Sequence, residues 1–172
     1  TAIAPTVPLV MLEAVKLMAA VCLVPPDGHD KTLEAITIAG EVKQRERFQP
    51  IIQGLLIRNN EPLRVSCLTL INALISSPED LDFRIHLRNE FMRDGLIDVL
   101  EALESDNGEE LQLQLKVFQE HKEEDFDEFD VSVPTDVDTD ANEISENASN
   151  GVSAEITVYA VDADGTTNVI TY

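Results

Sequence analysis

Side chains able to do acid–base, nucleophilic or metal chemistry are few and far apart in this chain. His29 stands beside Asp30 in a loop, His86 lies on an amphipathic helix, and His121 is on a third stretch. No Cys/His metal spacing, glycine-rich phosphate loop or nucleophile motif occurs. The C-terminal aspartates have no His or Lys close by in sequence. Cys22 and Cys67 sit inside apolar helical runs, the setting of buried free thiols in a reducing compartment. The chemistry on offer is recognition rather than catalysis.

Two patterns could recognise a partner. Lys16, Ala20, Leu23 and Val24 are spaced i, i+4, i+7 and i+8, so a helix would carry them on one face. A cation, a small residue and two aliphatics there suit an amphipathic helix lying in a groove; Leu23 and Val24 could equally be core. Glu120, Glu124 and Glu128, spaced i, i+4 and i+8, form an acidic stripe. That stripe is either a solvated face or a counterpart for basic residues.

Composition narrows the class of partner. The net charge is −21, so nucleic acid is excluded as a partner, because phosphate binding needs basic patches. An acidic surface draws a basic peptide or calcium. Residues 130–172 hold nine acids and no Lys or Arg, whereas residues 1–129 hold 24 acids and all 12 bases. With 44% hydrophobic residues, 5% aromatics and no Trp, the core must be aliphatic. No apolar run approaches the length of a membrane span and no signal peptide is visible. The chain opens at Thr1 without Met and reads as a fragment.

The elements that would hold these residues are helices. Pro8 to Val24 reads as a helix with Leu12, Val15, Ala19 and Cys22 on one side, ended by Pro25-Pro26-Asp27-Gly28. Asp30 is expected to cap a second helix, Lys31 to about Gln44, with Leu33, Ile36 and Val42 apolar. Phe48 to Ile57 is a short third. From Pro62 the stripe Leu63, Cys67, Leu70, Ile71 and Leu74 must face a core. Ser77-Pro78-Glu79-Asp80 then reads as a capped start, with Ser77 as cap. The helix that follows carries Leu81, Ile85, Leu87 and Phe91 and stops at Asp94-Gly95. Leu96 to Leu103 is a short helix. Ser105 to Gly108 is a turn with Asn107 and Glu110 at capping-box spacing, and Leu111 to about Phe129 is the last helix. One helical hairpin cannot bury both stripes alone, so stacked hairpins are implied. A faint repeat of 53 residues pairs Leu17 with Leu70, Ala20 with Ala73 and Val21 with Leu74. The fold class is mainly α, a helical solenoid.

The run LINALISSPEDLDFRIHLRNEFMRDGL closely resembles the armadillo-like third homology region of Diaphanous-related formins. The resemblance covers about residues 8–129 and implies an armadillo-like α-solenoid fragment. In that family this surface binds the C-terminal autoregulatory segment of the same protein and keeps it inactive. The matching positions are Lys16, Ala20, Leu23 and Val24 in EAVKLMAAVCLVP and Asn72 in LTLINAL. In that family, acids at the positions matching Glu120, Glu124 and Glu128 meet a basic cluster that follows the autoregulatory helix. The resemblance further implies Rho-family GTPase control in the intact protein, actin engaged only indirectly, and a cytoplasmic, cytoskeleton-associated setting. The family's GTPase site uses more N-terminal segments as well.

At Val131 the pattern changes. Pro134 and the Val/Thr content rule out continued helix, and residues 130–172 read as an acidic linker with a short β-prone or disordered tail. Ile156, Val158 and Ala160 alternate with Thr157, Tyr159 and Val161; Asp164-Gly165 marks a turn, and Val169 to Tyr172 a return strand. DVDTDANEISENASNGV and VDADGTTNVITY resemble the opening of a cadherin-like repeat. That likeness implies calcium at Glu146, Asp162 and Asp164, and an alternative function as a calcium-binding adhesive fragment. No other cofactor is expected.

Overall fold

The computed structural model describes residues 2–132, 135–136, 157–161 and 167–171, with side chains described for 2–129. Seven α-helices lie among them: α1 Pro8–Cys22, α2 Gly28–Lys43, α3 Gln49–Leu55, α4 Glu61–Ser76, α5 Leu81–Phe91, α6 Ile97–Glu104 and α7 Glu109–Ser132. The chain forms two compact units, Thr1–Asp125 and Phe126–Tyr172.

In the first unit α4 is the keystone. Leu63, Cys67, Leu70, Ile71 and Leu74 are all buried, as their spacing predicts, and so are Leu68 and Ile75 on other sides. Eleven of the sixteen residues of α4 are buried, so the helix is covered nearly all round. It packs on α1, α3 and α5. The outer helices bury one stripe each. On α1 that stripe is Met11, Val15, Ala19 and Cys22; Leu12 is only partly buried. On α2 it is Gly28, Thr32, Ile36 and Gly40, while Leu33 packs at the edge and Val42 is exposed. The close α1–α2 approach needs glycine at 28, where a Cβ would fall 2.1 Å from the Val21 carbonyl oxygen. Phe48 and Phe91 stack at 3.8 Å between ring centroids, joining the start of α3 to the end of α5.

Two caps differ from expectation. Ser77 does not open α5; it closes α4, its hydroxyl donating to the Ala73 carbonyl. Asp80 is the N-cap of α5, accepting the Phe83 N–H at 2.7 Å. The reason is local: Ser77 has helical backbone angles and Asp80 extended ones, which a side-chain cap requires. At α2 the cap position is Asp27, and Asp30 lies in the first turn. The helix begins early because the Gly28 N–H already donates to the Val24 carbonyl. At the expected stop, Gly95 has φ +112°, inside a π-helical turn Met92–Leu96 that links α5 to α6. Only glycine takes that angle without strain.

At an offset of 53 residues the burial of α1 and α4 agrees on one face only. Met11, Val15, Ala19 and Cys22 fall against Arg64, Leu68, Asn72 and Ile75, all buried. The pairs read from sequence do not match: Leu17, Ala20 and Val21 are exposed where Leu70, Ala73 and Leu74 are buried. Among the described residues α4 has neighbours on sides where α1 has none.

In the second unit, β2 Thr157–Val161 and β3 Thr167–Thr171 pair antiparallel, with Tyr159 opposite Val169 and Val158 opposite Ile170. β1 Thr135–Asp136 pairs with the other edge of β2. The predicted hairpin is therefore present, its return strand beginning two residues early. Asp164, Gly165 and Tyr172 lie outside the described residues.

Candidate functional site

A trough runs between α1 and α4. Lys16, Ala19, Ala20 and Leu23 form one wall, Ser66, Thr69 and Ala73 the other, around about 300 Å³. Small residues keep the helices from filling it. The hydroxyls do not make it polar, because each turns back on its own helix: Ser66 Oγ donates to the Pro62 carbonyl at 2.7 Å and Thr69 Oγ1 to the Val65 carbonyl at 2.9 Å. The wall therefore presents Cβ and methyl surface. Leu23 is the C-cap residue of α1 and stands well exposed. Lys16 sits at the rim, held loosely to Glu13 at 3.4 Å. A trough of this size and lining accepts one or two bulky apolar side chains, with a cation to meet an acid beside them.

The structure brings Lys16, Ala20 and Leu23 together but not the other two groove positions. Val24 lies one residue past the C-cap, exposed, and is not among the lining residues. Asn72 is 5% exposed. Its Nδ2 donates to the Gln114 carbonyl at 2.9 Å and to Gln114 Oε1 at 3.1 Å, tying α4 to α7. Its amide donors are thus committed internally, so it ties α4 to α7 rather than offering a free hydrogen bond. Its Oδ1 is buried and has no partner among the described residues. The α4 wall is what a family of single positions misses. Ser66, Thr69 and Ala73, spaced i, i+3 and i+7, were legible as a narrow small-residue face.

The acidic stripe rides on α7. Leu111, Leu115 and Phe118 bury one side of that helix. Further along, Asp125 is 6% exposed and bridges two arginines of α5. Arg84 Nε donates to its Oδ1 at 2.6 Å, and Arg88 Nη2 to its Oδ2. Arg88 also lies over the Phe118 ring, 5.3 Å from its centroid. Nothing in the run EEDFDEFD singles out Asp125; the signal is Arg84 and Arg88 at i, i+4 on α5. Glu120 is exposed and pairs with Lys116 at 3.4 Å; Glu124 is exposed and pairs with His121 at 3.1 Å. Glu128 is exposed on the part of α7 belonging to the second unit. Such pairs are weak and exchange readily for a partner's charges.

Ionisable groups elsewhere serve the fold. Arg64 donates to Asp106 at 2.7 Å and to the Leu55 carbonyl at 3.0 Å, and this arginine holds the Asp106 carboxyl below its ordinary range. Burial pushes Asp94 the other way, against an opposing hydrogen bond from the Phe48 backbone. Burial also pushes the Cys67 thiol up to about 12, and raises Cys22 against an opposing contact with Ser77. Both cysteines are free. His29 makes a hydrogen bond of 2.9 Å to the Leu74 carbonyl, a structural tie between α2 and α4. Among the described residues no group of three or more His, Cys, Asp or Glu could hold a metal ion. The calcium candidates Glu146, Asp162 and Asp164 lie outside the described residues.

The Diaphanous FH3 domain model matches residues 29–153. This chain belongs to the Diaphanous-related formins. Over 126 residues it is 51% identical to protein diaphanous homolog 3 of Mus musculus, covering 73% of this chain and 11% of that protein. Over 128 residues it is 50% identical to protein diaphanous homolog 2 of Homo sapiens, 74% of this chain and 12% of that one. Protein diaphanous of Drosophila melanogaster is 43% identical over 136 residues, 73% of this chain and 12% of that protein. The chain spans about a tenth of the length of the curated relatives it matches. The FH3 helices form an armadillo-like regulatory module of formins. The match passes Phe129 and takes in the stretch around Glu146, so the adhesive, cadherin-like alternative is not favoured. No helix among the described residues is long and apolar enough to cross a membrane.

Proposed function

We propose that the FH3 unit is an intramolecular clamp: its trough between α1 and α4 binds the amphipathic C-terminal autoregulatory helix of the intact formin. Bulky apolar side chains of that helix enter between Ala20 and Ala73, with Leu23 at one end. Lys16 meets an acid on the visiting helix. Glu120, Glu124 and Glu128 attract the basic residues that follow it, speeding association more than deepening it. In the intact protein, release of the clamp is coupled to a Rho-family GTPase, actin is engaged indirectly, and the setting is cytoplasmic and cytoskeletal. The observation that supports this reading best is the trough itself, apolar and small-walled, with a cation on its rim.

The test is a fluorescence titration of the full chain with a labelled amphipathic peptide bearing a basic C-terminal run. Micromolar or tighter binding is expected, with a loss of at least about tenfold in Leu23→Asp, since the charge must be desolvated in an apolar site. Equal affinity for the parent and Leu23→Asp rules out the trough as the site.

A further inference from the structure

The turn between α6 and α7 holds a side chain whose chemistry partner binding does not use. Asn107 is exposed, lies outside both helices and is followed by Gly108; among the described residues it is the one asparagine followed by glycine. In such a pair the glycine nitrogen has no Cβ beside it, so nothing shields it from the asparagine amide carbon. Here that nitrogen is held. The Gly108 N–H donates to Asp106 Oδ1 at 3.0 Å, while Asp106 Oδ2 accepts from Arg64 at 2.7 Å. Arg64 is buried and fixed in turn by the Leu55 carbonyl at 3.0 Å. Gln112 Nε2 crosses the same turn, donating to the Leu103 and Asp106 carbonyls at 2.7 and 2.8 Å.

We infer that Asn107 is a slow deamidation site guarded by the Asp106 carboxylate, and that its conversion unfastens the α6–α7 corner. The Gly108 nitrogen gives its proton to hydroxide and bonds to Asn107 Cγ. The Cγ–Nδ2 bond breaks, and ammonia leaves after taking a proton from water, which restores the hydroxide. The succinimide so formed adds water at either of its carbonyls and opens to aspartate or isoaspartate at position 107. None of this begins while Asp106 holds the Gly108 N–H, because that proton must leave and the nitrogen must turn toward Cγ. The Arg64 hydrogen bond keeps the Asp106 carboxyl below its ordinary range, so it stays an ionised acceptor at neutral pH.

The product changes the turn in two ways. Isoaspartate threads its Cβ into the main chain ahead of the Gly108 nitrogen, so the turn gains a methylene and the Gly108 N–H moves off Asp106 Oδ1. The Gly108 carbonyl accepts the Gln112 N–H at 2.9 Å in the first turn of α7, and it moves as well. Either product also adds a carboxylate to a stretch that already holds Glu104, Asp106, Glu109 and Glu110. The tie from Arg64 on α4 through Asp106 to the start of α7 is what conversion loosens.

Incubating the full chain in mildly alkaline buffer beside an end-blocked peptide of residues 103–111 reads the guard, since the peptide carries the same neighbouring acids without Arg64. Trypsin releases residues 94–116, in which Asn107 is the only asparagine, and mass spectrometry follows the amide-to-acid conversion there. Asn107 is expected to convert in the chain at least about tenfold more slowly than in the peptide, the factor that breaking one charge-assisted hydrogen bond imposes. Asp106→Ala brings the chain close to the peptide's rate. Asp125→Ala, which weakens the far end of α7, leaves the rate near the parent's. The isoaspartate-containing fraction, separated by ion exchange, melts below the fresh chain. Equal rates in chain and peptide, an Asp106→Ala rate equal to the parent's, or equal acceleration by Asp106→Ala and Asp125→Ala overturns the guard. No conversion in either the parent or Asp106→Ala overturns the site. An isoaspartate-containing fraction that melts like the fresh chain overturns the unfastening.

Discussion

Removing the carboxylate of Asp125 tests how α7 is held. In Asp125→Ala, Arg84 and Arg88 lose their shared counter-charge while their side chains stay 14% and 7% exposed. Breaking a buried ion pair from one side costs about 3–5 kcal/mol when the other charge is left uncompensated, and here the nearly buried Arg88 bears that loss. Here two charge-assisted hydrogen bonds go at once, each worth about 1.5–3 kcal/mol. Other acceptors soften the loss: Arg84 keeps the Pro78 and Glu79 carbonyls at 3.2 and 2.9 Å, and Arg88 keeps the Phe118 carbonyl at 3.5 Å. The expected value is therefore near the low end, about 3 kcal/mol, a third or so of the stability of a typical domain. Urea unfolding followed at 222 nm reads it as a lower midpoint with an unchanged slope. Melting falls by about 10 °C for a unit of this size. Asp125→Asn keeps an acceptor for Arg84 and should lose about half as much, on the order of 1.5 kcal/mol. Glu124→Ala, which pairs with His121 on an exposed face, should cost under about 0.5 kcal/mol. If Asp125→Ala and Glu124→Ala melt alike, the buried bridge does not anchor α7 and the reasoning fails.

Truncating the aromatic stack in Phe91→Ala should cost about 3–5 kcal/mol by urea unfolding, since the ring is fully buried against Phe48. Two carboxylates should leave opposite marks on the pH dependence of melting. Asp106 has a depressed carboxyl, so its contribution is present above the unfolded value of about 3.9 and fades as pH falls through the folded one. Removing it in Asp106→Asn should lower the melting temperature at pH 7 and matter less with acidification below pH 4. Asp94 has a raised carboxyl, so it favours the fold at low pH and loses that as pH rises through its folded value. Asp94→Asn, which can still accept the Phe48 N–H, should raise the melting temperature at pH 7 and lose that advantage toward pH 4. Finally, Glu124→Lys/Glu128→Lys should weaken a basic peptide at low salt, and the difference should shrink as salt rises. An unchanged affinity at low salt would count against the acidic stripe as a contact.

What was legible in sequence was set by periodicity. The α4 stripe, the stop at Gly95 and the β2–β3 hairpin each rest on a local rule, and each is in the structure. What was not legible depends on neighbours distant in sequence. Asn72 inside a helix reads as a polar group satisfied between helices, and only the family resemblance offers its amide to a partner; that Gln114, 42 residues on, takes its donors is not legible. Arg84, Arg88 and Asp125 read as surface charge until helix packing brings them together. Ser77 and Asp80 are both good caps, and backbone angles that sequence does not display decide between them. The acids of α7 show the same limit: Asp125 is buried, Glu124 beside it exposed, and both belong to one charged run.

α1 is the sharpest instance, and it carries one wall of the proposed groove. Of its fifteen residues only Glu13 and Lys16 are charged. A helix apolar nearly all round either lies in a core or has partners on several sides. α4 is of the first kind and α1 of the second, yet their compositions differ little. α1 meets α4 along Met11, Val15, Ala19 and Cys22, leaves Lys16, Ala20 and Leu23 along the trough, and leaves Val10, Leu17 and Val21 exposed on a third side. Because the sides are distinct, substitutions separate them. Leu23→Asp should abolish peptide binding; Leu17→Glu, exposed on another side of α1, should spare it. Loss of binding in Leu17→Glu as well would mean that α1 itself had come away from α4. The circular dichroism of that variant, compared with the parent, distinguishes this from a shared site.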